Sequence, residues 1–238
     1  MRIYGRNSIS ERIKINSQSI QCLLLDKEKA PRELELQAKN KRVPVRYLTG
    51  REFEKASRGI RSQGIAAEVE DFKYGELEDI IGAPKEKPPT LLFLDNFNDP
   101  QNLGAVLRSA ACFGGFAVVL PKHESVEVTE AVLRVAAGGE NYVAIARVNN
   151  LSGALGIAKK HGYWIAGAVT EGGQNLAKAS LSFPLSLVIG SEAKGIRPGL
   201  IKHLDFRLMI PMRGAGLSFN VAAATAIFCY EISRQRKG

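Results

Sequence analysis

Residues 91–108, LLFLDNFNDPQNLGAVLR, read as a strand that hands over to a helix. The run 91–95 is nearly unbroken apolar sequence, as expected of a strand buried on both faces. Asp99 suits a helix cap, and Pro100 suits the first turn of a helix running to Gly114. Leu103, Val106, Leu107 and Ala110 would form its inner face. The same alternation recurs downstream, with strand candidates at 116–120, 142–148, 164–169, 185–189 and 206–210. A last helix is predicted from about Asn220 to Arg234, with Arg234, Arg236 and Lys237 where the helix dipole favours cations. Continuous apolar strands alternating with helices predict an α/β domain built on a mostly parallel sheet.

Upstream, residues 82–90 are rich in proline and charge and lack apolar periodicity, which reads as a linker. Before them, apolar runs at 20–25, 45–48 and 65–69 alternate with helical patterns at 9–15, 31–40 and 51–58. A small N-terminal α/β domain over 1–70, a linker over 71–89 and a larger domain over 90–238 are therefore expected. The net charge of +9 is concentrated in residues 1–61, which carry +8, against −4 for 62–90 and +5 for 91–238. Such an excess favours a polyanionic partner. The first 16 residues mix charges among their apolar side chains and no run reaches membrane-spanning length, so the cytoplasm is the expected place. Cys22, Cys112 and Cys229 are odd in number and far apart, and His123, His161 and His203 have no ligand spacing. Neither a disulfide framework nor a metal is expected.

Three segments gather polar residues and glycines where strands hand over to helices, the edge at which open α/β sheets bind ligands. The first holds Asn102 and Arg108. The second, Gly190-Ser-Glu-Ala-Lys-Gly-Ile196, ends a buried strand and carries Glu192 and Lys194. The third, Ile210-Pro-Met-Arg-Gly-Ala-Gly-Leu-Ser-Phe-Asn220, nearly forms the glycine pattern of a dinucleotide site, but Phe219 stands where its third glycine belongs. A nicotinamide enzyme is thus a weak alternative. Taken singly, each segment is explained by helix capping or a solvated face.

The ordered combination resembles the SpoU (TrmH-like) ribose methyltransferases of the knotted SPOUT superfamily. Asn102-Leu-Gly-Ala-Val-Leu-Arg108 is similar to their first motif, Gly190–Ile196 to their second, and Ile210-Pro-Met with Ser218-Phe-Asn220-Val-Ala to their third. Tyr4-Gly-Arg-Asn-Ser-Ile9 and Ser62-Gln-Gly-Ile-Ala-Ala67 resemble the N-terminal substrate-binding domain of the rRNA-modifying branch. The chain departs from the pattern at Phe219, where leucine is usual, and at Ser62, where histidine is frequent.

The resemblance implies a catalytic domain with a trefoil knot near its C-terminus, a homodimer with the active site at the subunit interface, and S-adenosyl-methionine as methyl donor. It implies methylation of a ribose 2′-hydroxyl in structured RNA, with ribosomal RNA favoured over transfer RNA and a non-catalytic RNA-binding protein as the alternative. Gly190, Ile210, Leu217 and Phe219 would hold the cofactor, largely through backbone groups. Asn102, Glu192, Ser218 and Asn220 would orient the ribose and loops. Because a guanidinium stays protonated, Arg108 is read as a clamp on the adjacent phosphate that stabilises the developing alkoxide. Arg6, Arg12, Lys39, Lys41 and Arg42 are the expected phosphate contacts of the N-terminal domain.

Overall fold

The computed structural model describes the 238-residue chain except Arg61, Lys85, Ala193, Ala215, Gly216, Lys237 and Gly238. The second glycine of the near-dinucleotide pattern, Gly216, and the terminal cation Lys237 therefore lie outside the described residues. The chain divides into two compact units, Met1–Lys73 with Glu127–Tyr142, and Tyr74–Val126 with Val143–Gly238.

The first unit is built on strands β1 (Arg2–Tyr4), β2 (Ile20–Asp26), β3 (Val45–Leu48) and β4 (Ile65–Val69), ordered β1-β4-β2-β3. β4 is antiparallel to β1 and β2, whereas β2 and β3 run parallel. Helices α1 (Arg6–Asn16), α2 (Arg32–Asn40) and α3 (Gly50–Ala56) connect them. Ile9 and Ile13 of α1 are buried, and Tyr4, Leu24, Phe53 and Ala66 form a separate cluster. Within this unit Arg12 donates to Glu140 at 3.1 Å, and both side chains are almost fully enclosed. Burial, opposed by the Arg12 charge, pushes the Glu140 carboxyl above its usual range. Arg12 is thus a structural ion-pair partner and not the phosphate contact expected from sequence. Its stem is apolar enough to pack, and sequence alone cannot tell a buried guanidinium from an exposed one.

In the second unit, α4 (Leu77–Gly82) buries Leu77, Ile80 and Ile81 within the stretch expected to be a linker. Seven strands follow: β5 (Thr90–Leu94), β6 (Phe116–Pro121), β7 (Ala144–Val148), β8 (Trp164–Ala168), β9 (Gln174–Asn175), β10 (Leu185–Ile189) and β11 (Phe206–Met209). They form one sheet in the order β7-β6-β5-β10-β8-β11-β9, parallel at every pairing. The α/β fold with a mostly parallel sheet is as the sequence predicts. The remaining helices are α5 (Pro100–Phe113), α6 (Glu130–Ala136, in the first unit), α7 (Leu151–Lys160), α8 (Pro198–Ile201) and α9 (Val221–Arg236).

Every residue of β5 and β10 is buried, which is why both read as mostly apolar runs, interrupted only by the buried hydroxyls of Thr90 and Ser186. Leu91 and Phe93 pack on one face with α4 and α7, and Leu92 and Leu94 are fully enclosed on the other. α5 and α9 pack against each other. β11 lies between β8 and β9, with Leu208 registered against Ala168 on one side and Gln174 on the other. The connection from β8 to β9 thus passes over the end of β11. Gly173 makes this crossing possible, since a Cβ there would stand 3.0 Å from the Leu208 carbonyl carbon. No helix among the described residues is long and apolar enough to cross a membrane.

Candidate active site

The C-terminal ends of β8, β10 and β11 and the start of α9 enclose a pocket of about 410 Å³, within the range of small-molecule sites. The order of the central strands explains its place. β10 and β11 flank β8 on its two sides, so the C-terminal ends of all three parallel strands, and the loops that leave them, meet at one place on the sheet edge. Val169, Ile210, Met212, Phe219 and Phe228 supply an apolar lining, and Thr170, Ser191, Glu192 and Ser218 supply polar groups. One ringed ligand carrying a few hydrogen-bonding groups fits this mixture of surfaces.

Gly190 sits at the floor, buried at the end of β10. A Cβ there would lie 2.0 Å from the Gly195 carbonyl carbon, so the loop returns over a position that no other residue can fill. Gly195 donates its N–H to the Ser191 carbonyl at 2.9 Å, closing this loop into a tight bend.

The three polar segments converge beside the pocket. Asn220 Nδ2 donates to Glu192 Oε1 at 2.7 Å and to Asn102 Oδ1 at 3.0 Å. Asn220 Oδ1 accepts from the N–H groups of Ala222 and Ala223, and Glu192 Oε1 accepts from Val221 N–H at 3.1 Å. Asn220 therefore caps α9 and ties the other two motifs together. The carboxylate also lies at the positive end of the α9 dipole. A smaller cleft of about 250 Å³, lined by Asn96, Asn98, Asn102 and Asp99, shares Ser191, Glu192, Lys194 and Val221 with the main pocket.

The predicted site residues are distributed unevenly. Gly190, Glu192, Ile210, Ser218 and Phe219 line the main pocket, and Asn102 and Asn220 adjoin it through Glu192. Leu217 is 76% exposed and does not line it. Arg108 is exposed on α5, forms no ion pair among the described residues, and lies six residues beyond Asn102, about 9 Å along the axis and on a different face. This chain alone does not bring Arg108 to the pocket.

The sequence reading passed over Asp95 and Arg197. The Asp95 carboxylate is fully buried at the end of β5, where it accepts from Arg197 Nε at 2.6 Å and Arg197 N–H at 3.0 Å. Arg197 also reaches Glu124 at 2.7 Å. The pair fastens the far end of the loop that carries Glu192. Its signal was present in the sequence as a carboxylate closing the apolar run 91–94. Among the described residues, no group of three or more His, Cys, Asp or Glu is placed to hold a metal ion.

The SpoU rRNA methylase family model matches residues 89–230, and the model for RNA 2′-O ribose methyltransferase substrate binding matches residues 2–75. An uncharacterized tRNA/rRNA methyltransferase of Synechocystis is 43% identical over 73% of this chain, which spans 46% of that protein. The 23S rRNA (guanosine-2′-O-)-methyltransferase RlmB of Pseudomonas putida is 34% identical over 99% of this chain and 97% of its own. The crystal structure of the SpoU methyltransferase AviRb from Streptomyces viridochromogenes, in complex with AdoMet, is 20% identical with a TM-score of 0.81, covering 100% of this chain and 90% of that one.

Proposed function

From its place in the SpoU rRNA methylase family, to which this chain belongs, we propose that the protein methylates a ribose 2′-hydroxyl of structured RNA with S-adenosyl-methionine, its substrate being large-subunit ribosomal RNA. The observation that carries the proposal is the junction of Asn102, Glu192 and Asn220 on the rim of a cofactor-sized pocket. The substrate follows the 23S rRNA methyltransferase relatives, which match both units of this chain. We place the protein in the cytoplasm, where such an RNA is found.

The pocket suits the cofactor because its apolar wall offers Ile210, Met212, Phe219 and Phe228 to a purine, while Ser191, Thr170 and Glu192 face the polar remainder. Bound there, S-adenosyl-methionine supplies an electrophilic methyl group. The residues of this chain supply position and charge. Gly190 and the bend behind it fix the floor, and Glu192 and Asn220 hold the pocket to the smaller cleft, from which the ribose hydroxyl approaches. Holding nucleophile and methyl carbon in line lowers the barrier through positioning.

The hydroxyl must lose its proton as it attacks. Arg108 clamps the neighbouring phosphate and stabilises the developing alkoxide, a role for a permanently charged planar fork. Because Arg108 points away from its own pocket, it serves the site of a second copy. A homodimer built on α5 and α9 is supported by the exposed Tyr230 on α9, which packs edge-on against Phe113 of α5. The trefoil knot implied by the family is supported by the passage of the β8–β9 connection over β11.

The test is transfer of labelled methyl to total ribosomal and transfer RNA, comparing the wild type with Arg108→Ala. Label in a 2′-O-methyl nucleotide of ribosomal RNA, lost in the variant, is the expected result. Label confined to transfer RNA would reassign the substrate. Cofactor binding without label in any RNA would favour a non-catalytic RNA-binding protein.

A further inference from the structure

The smaller cleft of about 250 Å³ is lined, beyond Asn102 and Glu192, by residues that methyl transfer itself does not require: Asn96, Asn98, Asp99 and Lys194. Two segments of this lining hold unused hydrogen-bonding capacity. On the loop between β5 and α5, Asp99 caps the helix with Oδ1, which accepts from Gln101 N–H at 2.8 Å, and Asn98 Nδ2 donates to Asn96 Oδ1 at 3.0 Å. Asp99 Oδ2 and Asn98 Oδ1 accept from no described residue, and both side chains are exposed to the cleft. On the loop after β10, Lys194 is exposed and forms no ion pair with a described residue.

Both segments are braced. Asn96 holds a φ of 61°, the left-handed conformation that turns the chain out of β5. Val126 N–H donates to the Phe97 carbonyl at 2.7 Å, and the neighbouring Asp95 is gripped by Arg197. The loop that carries Lys194 is closed by the bond from Gly195 N–H to the Ser191 carbonyl. Acceptors from one loop and a cation from another thus stand around one cleft on fixed backbone.

We infer that this cleft seats the base of the nucleotide being methylated, and that Asp99, Asn98 and Lys194 select guanine. The inference rests on the RNA-methylating reading of the protein. A cleft below the volume of drug-sized sites takes a single ring system, and an unstacked RNA base offers its edges to side chains. Guanine alone among the RNA bases sets two adjacent donors, N1–H and the N2 amine, beside acceptors at O6 and N7. The free oxygens of Asn98 and Asp99 match the donors, and the Lys194 ammonium matches the acceptors. Adenine and cytosine turn a ring-nitrogen lone pair toward the Asp99 carboxylate, and uracil brings one donor between two carbonyls. Each mismatch leaves a polar group without its partner.

The experiment measures kcat/KM for methyl transfer to an RNA fragment whose target nucleotide is guanosine, inosine or 7-deazaguanosine. Inosine lacks the N2 amine, and 7-deazaguanosine lacks N7. The full-length wild type is compared with Asp99→Asn, which keeps a good helix cap, and with Lys194→Ala. The wild type should prefer guanosine to either analogue by roughly 10- to 100-fold. In Asp99→Asn the preference over inosine should shrink to a few-fold while that over 7-deazaguanosine stays, and Lys194→Ala should show the converse. Both variants should melt like the wild type, and Asp99→Asn should bind S-adenosyl-methionine as tightly. Equal losses on all three RNAs, as from a merely structural change, overturn the inference, as does a methylated nucleotide other than guanosine, even where the wild type methylates RNA. If the wild type transfers no methyl group, saturation-transfer NMR with the four nucleoside monophosphates decides, the main pocket being filled with S-adenosyl-homocysteine. A signal for guanosine monophosphate that is lost in Asp99→Asn would keep the cleft and remove the catalytic reading. Equal signals from all four, or none, would remove both.

Discussion

The two walls of the pocket beside α9 are held in different ways. On the side of β10, the loop carrying Glu192 is held from behind: Asp95 grips Arg197, and Asn220 joins Glu192 to Asn102, so polar side chains are bonded to one another before any ligand arrives. On the side of β11, Phe219 is 46% and Met212 40% exposed, and the wall consists of apolar groups facing water. The first wall is preorganised, which is what a transition state demands. The second gains its stability only when a ligand covers it, because apolar area in water is the main energy it has to offer. Geometry and affinity are thus assigned to opposite sides of one hollow.

Arg108 gives the strongest challenge to this division, since it shares α5 with the bonded Asn102 but has no ion-pair partner among the described residues. Replacing it with alanine should lower turnover by roughly 100- to 1000-fold, the usual effect of removing a group that stabilises developing negative charge. Cofactor affinity, measured by calorimetry, should stay at the wild-type value. A further sharpening comes from mixing inactive Arg108→Ala and Glu192→Ala proteins after dissociation. If Arg108 serves the partner's pocket, the mixture regains about a quarter of wild-type activity, because half the dimers are mixed and each has one intact site. If it serves its own pocket, none returns.

On the apolar wall, Phe219→Ala should weaken cofactor binding by about tenfold, roughly 1.4 kcal/mol, with the melting temperature unchanged because the ring is half in water. A fall in melting temperature instead would show that this wall is structural. On the bonded wall, Asn220→Ala should cost about 1 kcal/mol through loss of the α9 cap, a shift of about 2–4 °C in Tm for a chain of this size. The same change should speed labelling of Cys229, which lies fully buried on α9 with its thiol pushed up to about 12 by burial. Exposed Cys112 is the internal reference for that measurement.

The sheet was legible in the sequence wherever burial was two-sided. Residues 185–189 and 65–69 were read to the residue, since buried strands leave mostly apolar runs and turns leave glycine and polar residues. β9 escaped because two residues carry no period, and α4 escaped because six residues beside a proline-rich segment carry barely more. In the site, Glu192, Asn220 and Asn102 were legible as motif residues, but not as one bonded group, because their contacts join positions up to 118 residues apart. Arg12 shows the limit of reading residue type. Whether a guanidinium is enclosed depends on tertiary neighbours that no local pattern records.

The position of β11 also has a consequence for biosynthesis. The ribosome makes this strand after every other strand of the sheet, yet it sits inside the sheet, between β8 and β9. Until residues 206–228 emerge, those two strands lack their common neighbour, and Met212, Phe219 and Phe228 have no wall to form. A nascent chain stopped before residue 206 would hold Asn102 and Glu192 but no cofactor hollow. The pocket therefore forms only once residues 206–228 have left the ribosome, and until then the chain has nowhere to hold a methyl donor.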